Sequence, residues 1–262
     1  MEFHPVFVDA AALRWAPLPA SAPVTRPAMA ADTCDTCAVR HLCLPCGLER
    51  ESKAILAKLL SGKRRLRKGQ KLYRQGEPFE FLYAARFGSF KTVCRLSDGD
   101  EYVSAFHLPG DLMGFDGMAD GQHPTTVVAL ENAEACAIPY EQLMEACARS
   151  SPLLKRVSRL MGMQLVREYR CSKMVSGRHA EGRVAGFLLQ LSEWMKERGY
   201  SPREFQLRMS RADIGSYLGT TLETVSRSLS LFAREGFITV HSRRIQLVDP
   251  ERLRICCGVR SG

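Results

Sequence analysis

The sequence predicts an α+β protein with an N-terminal antiparallel β-roll, one long helix and a C-terminal winged helix-turn-helix unit. Glycines stand at 69, 76, 88, 99 and 110 with short apolar or alternating runs between them, which is typical of antiparallel strands joined by turns. From about 152 to 175, apolar residues recur three and four apart, as in an amphipathic helix. Near the C-terminus, two helical patterns flank a glycine and an apolar hairpin follows.

Composition excludes several classes of protein. The 262 residues are 45% hydrophobic and 25% charged, which is ordinary for a globular chain. No stretch approaches the roughly 20 apolar residues of a membrane span, and prolines and acidic residues interrupt any signal peptide. The formal net charge of +9 favours polyanionic partners such as DNA, RNA or anionic lipid. We therefore expect a cytoplasmic protein with no membrane association.

The N-terminal part divides into a tail and a cysteine-rich loop. Residues 1–33 are rich in Ala and Pro without periodicity, which predicts a mobile tail. Residues 34–47 then carry Cys34, Cys37, Cys43 and Cys46. In a reducing compartment, clustered thiols more often bind metal or do redox chemistry than form disulfides. The short spacing fits an iron–sulfur cluster, and structural zinc and redox thiols stay open as alternatives.

Residues 48–150 form the predicted β-roll. A short helix over 48–60 opens it, and strands are expected from Leu66 to about Pro139. Cys136 stands in an apolar run, Ala-Cys-Ala-Ile. The pattern by itself predicts a core position for this thiol, because free cysteine behaves as a small hydrophobe.

Residues 151–178 contain the predicted long helix. Its spacing resembles the seam of a paired helix, although a helix packed only on its own domain would show a similar pattern. Facing carboxylates at Glu168 would weaken such a dimer and make it easy to switch. The seam positions are Leu154, Ser158, Met161, Leu165, Glu168, Ser172 and Val175.

Residues 179–262 make up the predicted winged helix-turn-helix unit. Helices are expected at about 181–198, 210–218 and 221–235, and strands at 237–240 and 245–248. Ser210 and Asp213 have the spacing of a capping box. The third helix is predicted to turn one stripe inward, namely Leu222, Val225, Leu229 and Phe232.

The outward face of that third helix has the chemistry of DNA recognition. Its first turns carry Glu223, Ser226 and Arg227, and the N-terminal residues of a recognition helix meet base edges in the major groove. Arginine can bind guanine in bidentate fashion, and glutamate can accept from cytosine. Alternatively, Glu223 completes a helix cap and the other two residues form a solvated face. Backbone phosphates are expected to contact Thr221, Arg211, Arg243 and Arg244.

Catalytic motifs are absent from the sequence. It contains no P-loop, no Gly-x-Ser-x-Gly and no His-Glu-x-x-His, and its six histidines are scattered. We therefore predict that the chain is not an enzyme.

Four runs of sequence identify a resemblance. They are Phe-His-Leu-Pro-Gly-Asp-Leu-Met-Gly-Phe-Asp (106–116), Ala-Leu-Glu-Asn (129–132), Tyr-Ser-Pro-Arg-Glu-Phe (200–205) and Asp-Ile-Gly-Ser-Tyr-Leu-Gly-Thr-Thr-Leu-Glu-Thr-Val-Ser-Arg (213–227). From Cys34 to about Leu253 the chain resembles the fumarate–nitrate reduction regulators of the CRP/FNR superfamily. The resemblance implies that the β-roll is a jelly roll like that of cyclic-nucleotide-binding domains.

The resemblance also implies a cofactor and its ligands. Cys34, Cys37, Cys43 and Cys136 match the ligands of one 4Fe-4S cluster per chain, which replaces the core interpretation of Cys136. Cys46 matches no ligand of the family and is an extra thiol that could compete as one.

By the same resemblance, Glu223, Ser226 and Arg227 would read TTGAT-like half-sites of a palindrome in double-stranded DNA. Implied partners are RNA polymerase and, when the cluster is present, a second copy of the chain. The homodimer would form through Leu154, Met161, Leu165 and Glu168. Oxygen would convert the cluster to a 2Fe-2S form and release the dimer and the DNA.

Three alternative functions are compatible with this fold or with its cysteines. A cyclic-nucleotide-responsive regulator needs a phosphate-binding arginine, and the matching stretch 121–126 has none, so no cyclic nucleotide is expected. A haem-based gas sensor would have His107 and His123 as candidate ligands. Zinc or redox thiols in place of the cluster, including a zinc-containing adaptor protein, complete the alternatives.

Overall fold

A computed structural model describes residues 34–175 and 179–258 of the chain. The predicted mobile tail at 1–33 lies outside the described residues, as do 176–178 and 259–262. Within the described ranges, no helix has the length and apolar character needed to span a membrane.

The β-roll consists of two four-stranded antiparallel sheets, in the orders β1-β8-β3-β6 and β2-β7-β4-β5. Their facing sides bury small and aromatic residues, among them Ala85, Phe90, Val127 and Ala135. The antiparallel β-roll predicted from the glycine spacing is confirmed. The strands are β1 (Gly62–Leu66), β2 (Lys71–Tyr73), β3 (Phe81–Phe87), β4 (Phe90–Arg95), β5 (Glu101–His107), β6 (Leu112–Met113), β7 (Thr126–Ala129) and β8 (Ala133–Pro139).

Three helices flank the β-roll, α1 (Arg50–Leu59), α2 (Tyr140–Arg149) and α3 (Ser151–Val175). They pack over the outer side of β3 and β8, where the buried core includes Leu56, Leu82, Ile138, Leu143, Leu153 and Val157. Complete burial of one such side chain contributes roughly 1.5–3 kcal/mol. The sequence predicted α1 and α3 but not α2.

The C-terminal unit, residues 179–258, which the sequence predicts to bind DNA and which we call the DNA-binding unit, contains four helices and a three-stranded sheet in the order β10-β11-β9. Ser210 and Asp213 form the predicted capping box at the start of α5. The short strand β9 and the last helix were not predicted. The elements are α4 (Ala180–Glu197), β9 (Glu204–Gln206), α5 (Arg211–Tyr217), α6 (Leu222–Arg234), β10 (Ile238–His241), β11 (Arg244–Leu247) and α7 (Pro250–Cys256).

The predicted inward stripe of α6 needs one correction. Val225, Leu229 and Phe232 are buried as expected, but Leu222 is 44% exposed. Leu222 is the first residue after the Thr221 cap, so its side chain lies beyond the edge of the core, and the buried stripe begins one turn later.

The DNA-binding unit packs directly against the β-roll. Phe106 of β5 lies with its ring 5.0 Å from that of Tyr217 in α5, and Lys91 of β4 pairs with Asp213 at 2.5 Å. The Ser216 hydroxyl accepts from the backbone N–H of Val103 at 2.9 Å. The β-roll and the helix-turn-helix of one chain therefore share a direct contact surface.

Candidate functional site

Four cysteines from two distant parts of the chain line one pocket. Cys34, Cys37 and Cys43 come from the loop before α1, and Cys136 comes from β8. We call this cavity the thiol pocket. The four residues that the resemblance names as ligands thus line one pocket.

Local backbone bonds and an apolar anchor hold the cysteine loop over the sheet. The N–H groups of Leu42 and Cys43 both donate to the Val39 carbonyl at 3.0 Å. Leu44 is 1% exposed and packs in the core of α1 and β8. In β8, Cys136 stands between Lys63 of β1 and Ala84 of β3. Contacts within the protein therefore position the cysteine loop and the sheet relative to each other.

Burial and mutual repulsion raise the pKa of two of these thiols. Burial raises the pKa of Cys43 to about 12 and that of Cys136 to about 11, and neighbouring cysteines act in the same direction. Lys63 and Arg86 also line the thiol pocket and oppose the rise in the pKa of Cys136. Metal binding at this pocket must therefore release protons, and the two cations offset the thiolate charge that results.

The donor chemistry of the thiol pocket fits a thiolate-bound cofactor. Cysteine thiolates are the ligands of 4Fe-4S clusters, and they also bind structural zinc. Among the described residues, no three His, Cys, Asp or Glu side chains approach closely enough to hold one metal ion. The four sulfurs are instead distributed around the pocket.

Cys46 is separated from this group. It is not among the described residues that line the thiol pocket. It lies near Arg156 of α3, whose pKa is lowered by burial, an effect that Cys46 and Cys43 partly offset. Arg156 donates to the backbone carbonyls of Leu42 and Cys43 at 2.8 and 2.7 Å. No pattern in the sequence indicates this bond between α3 and the cysteine loop.

The predicted seam of α3 is exposed along part of its length. Leu154 and Leu165 are 47% and 67% exposed. Glu168 is exposed and accepts from the Gln164 amide at 3.3 Å. Tyr169, 64% exposed, extends the stripe and was not predicted. By contrast, Met161 is half-buried and packs against the core of its own chain, and the side chains of Ser172 and Val175 lie outside the described part of the structure.

The start of α6 presents three predicted DNA-contacting residues on one face. Glu223 and Arg227 are exposed and Ser226 is half-buried. The helix cap is Thr221, whose hydroxyl accepts from the Thr224 N–H at 3.2 Å. The Thr221 side chain also bonds to the Glu223 carboxyl, so Glu223 takes part in a cap at Thr221 and not at Thr220. The backbone N–H of Glu223 lowers the pKa of its carboxyl, which keeps the carboxylate ionised at the helix N-terminus.

The predicted backbone-contacting arginines differ in their surroundings. Arg211 donates to the Ser226 hydroxyl at 3.2 Å and thereby borders the recognition face. Arg243 stands in the turn between β10 and β11, next to Ser242 with its positive φ of 58°. Arg244 pairs with Glu204 of β9, a partner that the sequence did not indicate.

The two histidines considered as haem ligands are both buried, and His107 is hydrogen-bonded. The Nε2 atom of His107 lies 2.7 Å from the Thr92 hydroxyl, and burial lowers the pKa of His107 to about 4. His123 stacks on Tyr73 with ring centroids 3.7 Å apart, and its Nδ1 lies 3.6 Å from Asp116. Neither imidazole faces the thiol pocket lining within the described chain.

Comparisons with known proteins agree with the two-part architecture. The cyclic nucleotide-binding domain family matches residues 63–150, and the Crp-like helix-turn-helix domain family matches residues 182–256. The transcriptional regulatory protein btr of Bordetella pertussis is 38% identical over 87% of this chain and 94% of its own. The fumarate and nitrate reduction regulatory protein of Vibrio cholerae is 38% identical over 86% and 90%. Among solved structures, FixK2 from Bradyrhizobium japonicum is 28% identical with a TM-score of 0.69, over 77% of this chain and 98% of its own.

Proposed function

The chain belongs to the CRP/FNR family of transcription regulators, and we propose that it is an oxygen-responsive global regulator with one 4Fe-4S cluster per chain. It is a regulator and not an enzyme, and its helix-turn-helix domain implies DNA binding and dimerisation. The proposed cluster promotes dimerisation and binding to palindromic DNA under anaerobic conditions, in the cytoplasm.

The observation that carries this proposal is the convergence of Cys136 with the three loop cysteines on one pocket. Strand β8 and the cysteine loop are about a hundred residues apart in the sequence, so a bound group would tie them together. When bound, such a cluster supplies a redox-active iron centre that reacts with oxygen. Cys34, Cys37, Cys43 and Cys136 would hold it, and Lys63 and Arg86 would offset its thiolate charge.

The protein's own residues convert this tie into control of the dimer. Arg156 links the backbone of the cysteine loop to α3, and α3 carries the exposed stripe with Leu154 and Leu165. In a parallel pair of these helices, the two Glu168 carboxylates would repel each other. A cluster that fixes the loop against α3 would offset that repulsion, and its loss would leave the repulsion unopposed.

Recognition of DNA is proposed for the exposed face of α6. Glu223, Ser226 and Arg227 would read TTGAT-like half-sites in the major groove. Phosphate contacts would come from Thr221, Arg211, Arg243 and Arg244. RNA polymerase is the proposed partner at promoters where the bound dimer acts on transcription.

The test is anaerobic purification followed by iron and sulfide analysis, visible absorbance and titration with air. The proposal predicts about four irons per chain and a broad absorbance that bleaches in air. Cys34→Ser and Cys136→Ser are expected to lose both signals, whereas Cys147→Ser, whose thiol does not line the described pocket, is the matched control. Colourless protein with stoichiometric zinc would overturn the oxygen-sensing mechanism and leave the DNA-binding dimer standing.

A further inference from the structure

A buried carboxylate lies where the β-roll, α3 and the DNA-binding unit meet. Asp111, in the loop between β5 and β6, accepts from Arg167 at 2.6 Å and from Arg198 at 2.8 Å. The backbone N–H of Leu108 donates to its other oxygen at 2.8 Å. Arg167 belongs to α3, and Arg198 follows the last residue of α4. One carboxylate therefore connects three parts of the chain.

This network is largely excluded from water. The side chains of Asp111 and Arg198 are 9% and 3% exposed. Burial acts to raise the pKa of Asp111, but Arg198 and Arg167 outweigh it and hold the pKa below its ordinary value. Arg198 also donates to the carbonyls of Pro109 and Trp194 at 3.0 and 2.9 Å. Buried charge-assisted bonds are strong and directional, so they fix the end of α4 against the loop.

The loop that carries Asp111 also touches the cysteine loop. Gly110 has a φ of +95°, and a Cβ placed on it would lie 2.6 Å from the Cβ of Leu42. Leu42 directly precedes Cys43, one of the thiols of the pocket. A shift of the cysteine loop at Leu42 therefore meets Gly110, whose neighbour is Asp111.

The junction also has space into which its parts can move. A cavity of about 340 Å³ lies beside it, lined by residues of all three parts, including Leu42, Asp111, Arg167, Arg198 and Tyr217. Packing around the ion pairs is thus incomplete.

We propose that Asp111 is a positioning residue that transmits the state of the thiol pocket to the DNA-binding unit of the same chain. The signal enters through Leu42 and Gly110 and leaves through Arg198. The inference rests on the proposed function for the nature of the signal. Arg167 also ties Asp111 to α3 beside Glu168, but the step through Arg198 runs within one chain, so both chains of a dimer would respond separately.

The test compares Arg198→Gln with Arg95→Gln, which removes an exposed ion pair to Glu101 at the far end of β4. Amide hydrogen exchange of the last turn of α4 is measured with and without the cluster. In the wild type and in Arg95→Gln, loss of the cluster is expected to raise exchange there. In Arg198→Gln, exchange at the last turn of α4 is expected to be equally high with and without the cluster, while the iron content stays that of the wild type.

The same variants are compared for DNA affinity in the iron-loaded state. Arg198→Gln is expected to weaken binding by about 5- to 150-fold, the usual range for coupling between sites, while the dimer dissociation constant stays that of the wild type. A cluster-dependent change in exchange equal to that of the wild type would overturn the proposal. If Arg198→Gln does not fold, Arg198→Lys, which keeps the charge with fewer donors, is expected to show a reduced but measurable response, and a full response would overturn it.

Failure of the proposed function has a different signature. If the wild type binds no iron, Leu42→Gly in the iron-free chain tests the same route by removing the Cβ that faces Gly110. The junction proposal then predicts raised exchange at the end of α4 in the wild-type background and no further rise in Arg198→Gln. No change on Leu42→Gly would overturn it.

Discussion

The contact between Gly110 and Leu42 can be tested by adding a single methyl group. In Gly110→Ala the new Cβ would meet Leu42 at its own Cβ, 2.6 Å away. That atom is the root of the side chain, so a change of rotamer cannot relieve the overlap and the backbone of the cysteine loop must move. The matched control is Gly99→Ala, where φ is +92° against +95° and no described atom beyond the chain neighbours lies within 4 Å of the new Cβ.

Both variants carry the energetic cost of a left-handed alanine, and only Gly110→Ala also carries a cost of overpacking. A left-handed φ costs an alanine about 1–2 kcal/mol, and this applies equally at both positions. Overpacking adds about 1–3 kcal/mol at Gly110 alone. For a domain of this size, each kcal/mol lowers Tm by about 2–4 °C, so we expect Gly110→Ala to melt about 2–12 °C below Gly99→Ala.

Circular dichroism melting of the cluster-free chains measures this difference, and anaerobic iron content is measured on the same variants. Because the displaced loop carries Cys43 beside Leu42, Gly110→Ala is also expected to bind less iron than Gly99→Ala. Equal melting temperatures in the two variants would show that the cysteine loop is not held against Gly110, and the route from the thiol pocket to Asp111 would lose its first step.

Four further outcomes are expected. Cys46→Ser should leave the anaerobic iron content unchanged while Cys136→Ser lowers it, and equal losses would contradict the division of the thiols. Glu168→Ala removes a like charge from the exposed stripe, so sedimentation equilibrium should show about twofold tighter self-association of the cluster-free chain; an unchanged constant would remove this residue from the interface. Arg227→Gln should cost about 1–3 kcal/mol on the palindromic site and little on random DNA at the same salt concentration, whereas equal losses would indicate a phosphate contact. Burial lowers the pKa of His107 to about 4 from 6.5. The stability that the neutral imidazole contributes is therefore complete above pH 6.5 and should fall by about 3 kcal/mol as the pH drops to 4. Thermal scans of His107→Gln should lack this pH-dependent loss, and an unaltered slope of stability against pH would refute it.

The regular elements could be predicted because they repeat a local pattern. The capping box at Ser210 and the spacing of α3 predicted helices that begin within one residue of the observed starts, Arg211 and Ser151. Strand β9 was missed because its three residues become a strand only by pairing with β11. Leu222 was placed inward by its spacing, but a residue at the first position of a helix has no preceding turn to bury it.

The thiol pocket shows a different limit. Spacing alone grouped Cys46 with its three neighbours in the loop and left Cys136 as a core residue. The backbone turn at Val39 and the register of β8 against β1 decide which sulfurs line the pocket. Neither is encoded within a short window of sequence, so the resemblance supplied what periodicity could not. Likewise, the bonds from Arg156 and Asp111 join residues from 56 to 114 positions apart, and no local pattern marks them.

These long-range bonds determine how loss of a cluster would affect the rest of the chain. The cysteine loop is anchored by means that need no metal, namely the buried Leu44, the backbone bonds to Val39 and the Arg156 clamp. We therefore expect the loop to stay folded when its thiols regain their protons. Its displacement is therefore expected to be small. A small displacement alters distant parts of the chain only where the moving residues are in rigid contact with them. Leu42 on Gly110 and Arg156 on α3 are two such contacts, one directed at the DNA-binding unit and the other at the dimer helix, so a single event in the thiol pocket can act on both.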